Sequence, residues 1–102
     1  SNNATIRPCH GIILLYSINS RWSFHDVSRT CRQIPLDAKQ NPRLVFVLVG
    51  MKSDEKSTRE VSSEEGLALA ADLGCKAFFE ASAKSGENVD AAVFAMVRAL
   101  RQ

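Results

Sequence analysis

Lys52 and Asp54, with Ser53 between them, follow "VFVLVG" (Val45–Gly50) and Met51, where an apolar run gives way to polar residues. A carboxylate in such a place can accept two parallel hydrogen bonds from a donor pair such as the N1–H and exocyclic amine of guanine. Adenine offers no such pair on that edge. A site built to pair those donors rejects the wrong purine because its own polar groups would be left unpaired. The aliphatic stem of Lys52 can lie along a flat ring while its ammonium stays in water. By itself, Lys-Ser-Asp is also an ordinary solvated turn.

A second constellation is "EASAKSGENV" (Glu80–Val89), which leaves another apolar run. Ser82, Ala83 and Lys84 form a polar elbow of mostly small side chains. Small residues let backbone N–H groups approach a planar ligand and donate to a base carbonyl, with Lys84 adding packing. Alone, this too is an ordinary strand-to-helix connection with Ser85-Gly86 as its turn.

Three apolar runs must position these loops: "GIILLYSI" (Gly11–Ile18), "RLVFVLVG" (Arg43–Gly50) and "KAFFEAS" (Lys76–Ser82). They are nearly continuous, the pattern of strands covered on both faces. Helical spacing follows each. The first helix is expected to open at Ser23, to turn Phe24, Val27, Cys31 and Ile34 inward, and to end or bend at Pro35. The second has capping-box spacing at Ser62 and Glu65, with Leu67, Ala70, Ala71 and Leu73 facing inward and Gly74 closing it. The third begins with Asn88 as cap and carries Val89, Ala92, Val93, Met96, Val97 and Leu100 on one face. The order βαβαβα gives an α/β fold with a parallel sheet and right-handed crossovers. Ligands of such sheets bind beyond the carboxyl ends of the strands, which points to Asn19–Trp22, Met51–Lys56 and Ala81–Glu87.

The chain has 102 residues, 45% hydrophobic and 24% charged, with a formal net charge of +2. This is the composition of one globular domain. Basic residues are scattered without aromatic interleaving, which argues against a nucleic-acid partner. Cys9, Cys31 and Cys75 show neither CxxC nor Cys-His ligand spacing, so they read as reduced, intracellular and free of metal. His10 and His25 have no evident partner. The run Ile12–Tyr16 is too short to cross a bilayer, "SNNAT" lacks the features of a signal peptide, and "RALRQ" carries no prenylation cysteine. The expectation is a cytoplasmic chain without a membrane anchor of its own, whose intact parent could still associate with membranes.

Taken together and in this order, "LVGMKSD" and "EASAKSGENVD" resemble the guanine-recognition half of the Ras-like small GTPases, nearer the Ras branch than the Rab or Rho branches. "GIILLYSINSRWSF" resembles that family's central strand and the loop after it. "REVSSEEGLALAADLGCKAFFEASAK" resembles its later helix and strand, and "NVDAAVFAMVRAL" its last helix. The similarity runs from about Ile6 to Arg101. It implies a three-layer α/β arrangement forming half of a small-GTPase G domain. Asp54 would be the base-specificity aspartate, Lys52 the lysine beside base and ribose, and Ala83, flanked by Ser82 and Lys84, the residue whose N–H meets the guanine carbonyl. Met51 departs from the family asparagine, which ties the loop to the phosphate loop and contacts the base.

GxxxxGK[ST], the phosphate-cradling and Mg²⁺-holding motif, does not occur among the five glycines, and neither does DxxG. In the family these precede the strand matched by Gly11–Ile18, so "TIRPCHG" would correspond to the end of its second helix. The intact parent would bind GTP or GDP and act as a signalling switch with Ras-type regulators and effectors. This chain would have no Mg²⁺ site, no catalytic residues and weak or no nucleotide binding, around millimolar on base contacts alone. The Gly11–Ile18 strand would lack a neighbour on one side, an edge that invites a homodimer or a strand-swapped assembly. Trp22 is expected to cover the core. Two other readings stand beside this one. The first is a pseudo-GTPase or protein-interaction module that has lost nucleotide binding. The second is another parallel α/β domain, such as a flavodoxin-like receiver, which would need an acidic cluster or phosphate loop that is not visible.

Overall fold

The computed structural model of the chain describes residues 10–52 and 58–82. Six elements follow one another: β1 (His10–Ser17), α1 (Arg21–Arg32), α2 (Leu36–Lys39), β2 (Leu44–Lys52), α3 (Ser63–Leu73) and β3 (Ala77–Ser82). The strands form one parallel sheet in the order β1-β2-β3. The α/β class and the parallel sheet are as the sequence predicts. Cys9, the helix expected from Val89 to Leu100, and residues Asp54, Ala83 and Lys84 lie outside the described residues.

β2 is buried from Val45 through Gly50, as a strand covered on both faces should be. One face of the sheet holds the larger core. Leu14, Tyr16 and Ile18 from β1 and its end, with Phe46 and Leu48 from β2, meet Phe24, Val27 and Cys31 of α1 and Leu69 and Ala70 of α3. Val47, Val49 and Ala81 form a second cluster on the other face, with Met51, Ala77 and Phe79 packed against it. β1 differs from its expectation. Leu14 and Tyr16 are buried, but Ile13 and Leu15 are 39% and 58% exposed. Their register partners Val47 and Val49 are buried, so burial falls off from the sheet's centre to β1. Among the described residues β1 pairs with β2 alone.

α1 starts earlier than Ser23. Ser20, in extended backbone, accepts from the Ser23 N–H and caps the helix. Ser23 Oγ instead accepts from the Ser17 N–H at 2.9 Å and lies 2.8 Å from the Ser20 carbonyl, which pins the strand end to the first turn. Phe24, Val27 and Cys31 are buried and Ile34 packs on the same core, as the spacing predicts. The helix ends at Arg32, before Pro35, and α2 begins after the proline. Trp22 does not cover the core. It sits in the first turn of α1, 72% exposed, in a groove with His25, Asp26 and Arg29.

α3 has its capping box: Ser62 accepts from the Glu65 N–H, and the Glu65 carboxylate accepts from the Ser62 N–H. Gly74 ends the helix in the left-handed region at φ 72°, where glycine carries no Cβ penalty. Its inward face is Gly66, Leu69 and Ala70, with Leu73 half-buried. Leu67 and Ala71, expected inside, are exposed. The reason is close approach. A Cβ built on Gly66 would lie 2.3 Å from the Phe78 ring and 2.5 Å from the Tyr16 hydroxyl. The helix therefore lays its glycine, not its leucine, on the sheet.

Candidate functional site

The carboxyl ends of β2 and β3 leave the sheet together. Met51 pairs with Ala81 and Lys52 with Ser82. The two segments singled out in the sequence thus start from adjacent strands at matched positions. Met51 and Lys52 are strand residues, not loop residues as expected. The Met51 carbonyl accepts from the Ile18 N–H at 3.0 Å, which joins the end of β1 to the same rim. The Met51 side chain packs on the Val47, Val49 and Ala81 cluster. Of the loop expected at Asn19–Trp22, Arg21 and Trp22 belong to α1.

Lys52 points to the α1–α3 side, where its ammonium lies 3.8 Å from Glu80 Oε1. Glu80 Oε2 pairs with Arg59 Nη2 and accepts from Ser63 Oγ at 3.0 Å. Arg59 is fixed further by donating Nε–H to the Val61 carbonyl at 2.7 Å and Nη2–H to Ser63 Oγ at 3.1 Å. Burial alone would raise the Glu80 carboxyl, but the hydrogen bonds from Arg59 and Ser63 and the charges of Arg59 and Lys52 outweigh it and hold the group below its ordinary range. Beneath lies Tyr16. Burial first, and then the Glu80 charge, push its phenol up to about 12, with Arg59 opposing. Its hydroxyl has no hydrogen-bond partner among the described residues.

The approach to α3 is tied to the end of β1. The Ile18 carbonyl accepts from Glu60 N–H at 2.8 Å and Val61 N–H at 3.1 Å, and Asn19 Nδ2 donates to the Thr58 carbonyl at 3.3 Å. Arg21 spans α1 and α3 with two hydrogen bonds to the Glu65 carboxylate, at 2.8 and 2.9 Å, and a third to the Glu60 carbonyl at 2.6 Å. The Arg21 hydrogen bonds, with the backbone bond from Ser62, hold the Glu65 carboxyl down at about 2.

Of the expected site residues, Met51, Lys52 and Ser82 come together on the β2–β3 rim, and Asp54, Ala83 and Lys84 lie outside the described residues. The residues the sequence reading passed over are Glu80, Arg59 and Ser63. A signal for Glu80 was present: it is the carboxylate in "AFFEAS", and a charge in an apolar strand needs a partner.

The family model for Ras family proteins matches residues 1–102. The chain belongs to the Ras family. It is 41% identical to Ras-like protein B of Aspergillus fumigatus, over 95% of this chain and 49% of that protein. It is 42% identical to GTP-binding protein Rit1 of Mus musculus, over 95% of this chain and 43% of the relative. Against GTP-binding protein ypt2 of Schizosaccharomyces pombe the identity is 39%, over 97% and 48%. The Ras-family chain thus spans about half the length of the curated relatives it matches.

Proposed function

We propose that this chain is the guanine-base-reading half of a Ras-type GTP-binding domain, the part matching that domain's C-terminal half. The observation that carries the proposal is the register Met51 with Ala81 and Lys52 with Ser82. It starts the Lys-x-Asp and Ser-Ala-Lys segments side by side on one rim, where a single planar base can meet both. Asp54 then accepts from the guanine N1–H and amine, the stem of Lys52 lies beside the ring, and the Ala83 N–H donates to the base carbonyl with Ser82 and Lys84 at its flanks. Family membership supports guanine nucleotide as the ligand, because two of the relatives are named GTP-binding proteins.

The sequence has no GxxxxGK[ST] and no DxxG. Phosphoryl transfer depends on positioning and charge stabilisation around the phosphates, so the chain alone holds the base and does not turn over GTP. Ras-type regulators and effectors are partners of the complete switch. Met51 favours a second reading. A thioether accepts hydrogen bonds only weakly, and here it packs on the apolar cluster of Val47, Val49 and Ala81. A chain kept for protein contacts rather than for nucleotide tolerates that exchange.

The experiment is an amide-resolved titration with GDP and with ADP. Shifts at Lys52, Asp54 and Ser82–Lys84 with GDP alone support base reading. No shifts in a dispersed spectrum support the interaction module. GTP hydrolysis by the chain alone overturns the half-site reading.

A further inference from the structure

Glu80 sits in β3 with its side chain only 15% exposed. Its carboxylate joins three elements. Oε1 faces the Lys52 ammonium at the end of β2, while Oε2 pairs with Arg59, ahead of α3, and accepts from Ser63, the first residue of α3. Arg59 and Ser63 are themselves bonded to each other, and Arg59 to the Val61 carbonyl. The anion is therefore held from one side by groups that do not move with Lys52. Lys52, with its side chain 49% exposed, carries its ammonium on a flexible four-carbon stem, and Glu80 is its one ion-pair partner among the described residues.

We propose that Glu80 is a positioning residue for guanine recognition: anchored by Arg59 and Ser63, its carboxylate gathers the Lys52 ammonium onto the α3 side of the rim and so fixes where the lysine stem lies beside Ser82. The proposal rests on the base-reading role of Lys52 given above. An unheld lysine must be ordered when the base arrives, and that ordering weakens binding. Glu80 meets this requirement in the folded chain before any ligand is present. Arg59 and Ser63 thereby act on base recognition through Glu80, without touching the ligand.

The test uses the whole chain and two readouts. The first needs no nucleotide: ¹³C relaxation of the Lys52 Cε methylene in wild type and in Glu80→Gln, which keeps the shape and loses the charge. Ser63→Ala is a second, milder variant that removes one anchor hydroxyl. The Lys52 methylene is expected to gain mobility in Glu80→Gln and, to a smaller degree, in Ser63→Ala. The second readout is GDP affinity in a cycle of Glu80→Gln, Lys52→Met and both together. Glu80→Gln is expected to weaken GDP binding up to about fivefold, the scale of an exposed ion pair, and the double variant to bind no worse than Lys52→Met. Unchanged Lys52 mobility in Glu80→Gln overturns the proposal. So does full additivity in the cycle, which would mean that Glu80 acts on the fold and not through the lysine. If GDP moves no wild-type resonance while Lys52 mobility responds to Glu80→Gln, the tether is upheld and the base-reading assignment is what fails.

Discussion

Replacing Gly66 with alanine should destabilise this protein, although the same change in an exposed helix stabilises it. Alanine gains about 1 kcal/mol over glycine in a helix interior. At Gly66 the new methyl would stand 2.3 Å from Phe78 Cζ, 2.6 Å from Phe78 Cε1 and 2.5 Å from the Tyr16 hydroxyl. Carbon pairs are most comfortable at about 3.5–4.0 Å, so these groups must give way by roughly an ångström. Phe78 is half-buried and packs against the same core. Tyr16 is 3% exposed, and across from the helix a Cβ on Gly50 would already lie 2.8 Å from the same hydroxyl. It has no room to retreat toward β2. Overpacking of this kind costs about 1–3 kcal/mol, which exceeds the propensity gain at most of that range. A net loss of about 1 kcal/mol follows, lowering Tm by roughly 4–8 °C for a domain of this size. Thermal and urea unfolding followed by circular dichroism measure it. Ala68→Gly, at an exposed position of the same helix, is the control and should cost about 1 kcal/mol in the ordinary direction. A Gly66→Ala protein more stable than wild type would refute the close approach of α3 to the sheet, and with it the placement of Ser63 beside Glu80.

Tyr16→Phe should leave stability unchanged or raise it by about 1 kcal/mol, because it removes a buried hydroxyl without a partner among the described residues; a loss of that size in urea unfolding would mean the hydroxyl is bonded. The Glu65 carboxyl is held at about 2 against an ordinary 4.5. The unfolded chain therefore binds this proton first, and the contribution of the Arg21–Glu65 pair is whole above pH 4.5 and fades as pH falls toward 2. Unfolding midpoints across that window should drop less in Glu65→Gln than in wild type, and equal drops would contradict the pairing. Met51→Asn should tighten guanine binding up to about tenfold by restoring the one hydrogen bond that reaches the base, measured by titration with GDP; no gain would place the weakness elsewhere. The β1 rim, with Leu15 58% exposed, predicts self-association in sedimentation that Leu15→Lys abolishes, and a monodisperse wild-type monomer would remove that expectation.

Most of the frame was legible because it rests on strong local signals. The apolar runs ending at Ile18, Gly50 and Ser82 mark the strands, and the capping box at Ser62 and Glu65 marks the start of α3. What escaped has physical causes. Gly66 carries no side chain, so a reading of apolar periodicity cannot see that it forms the contact, and Leu67 was turned inward in its place. Ser20 and Ser23 are both good cap residues, and only the bond from Ser17 to Ser23 decides which role each takes. The exposure of Leu15 and Trp22 depends on what lies across from them in three dimensions, and their hydrophobicity alone says otherwise. In the candidate site, Lys52 and Ser82 were legible through spacing and family likeness. Glu80 was signalled only as a charge in an apolar strand, and its partners Arg59 and Ser63 were not legible, because the ion pair closes between residues far apart in the chain.

The central claim is that this rim reads guanine. It is tested most directly by recording amide resonances of the whole chain, its oligomeric state checked first, during titration with guanosine, GDP and ADP. The account predicts shifts at Met51, Lys52, Asp54 and Ser82–Lys84 with both guanine ligands and none with ADP. Equal shifts with ADP, or none with any ligand in a well-dispersed spectrum, would contradict it.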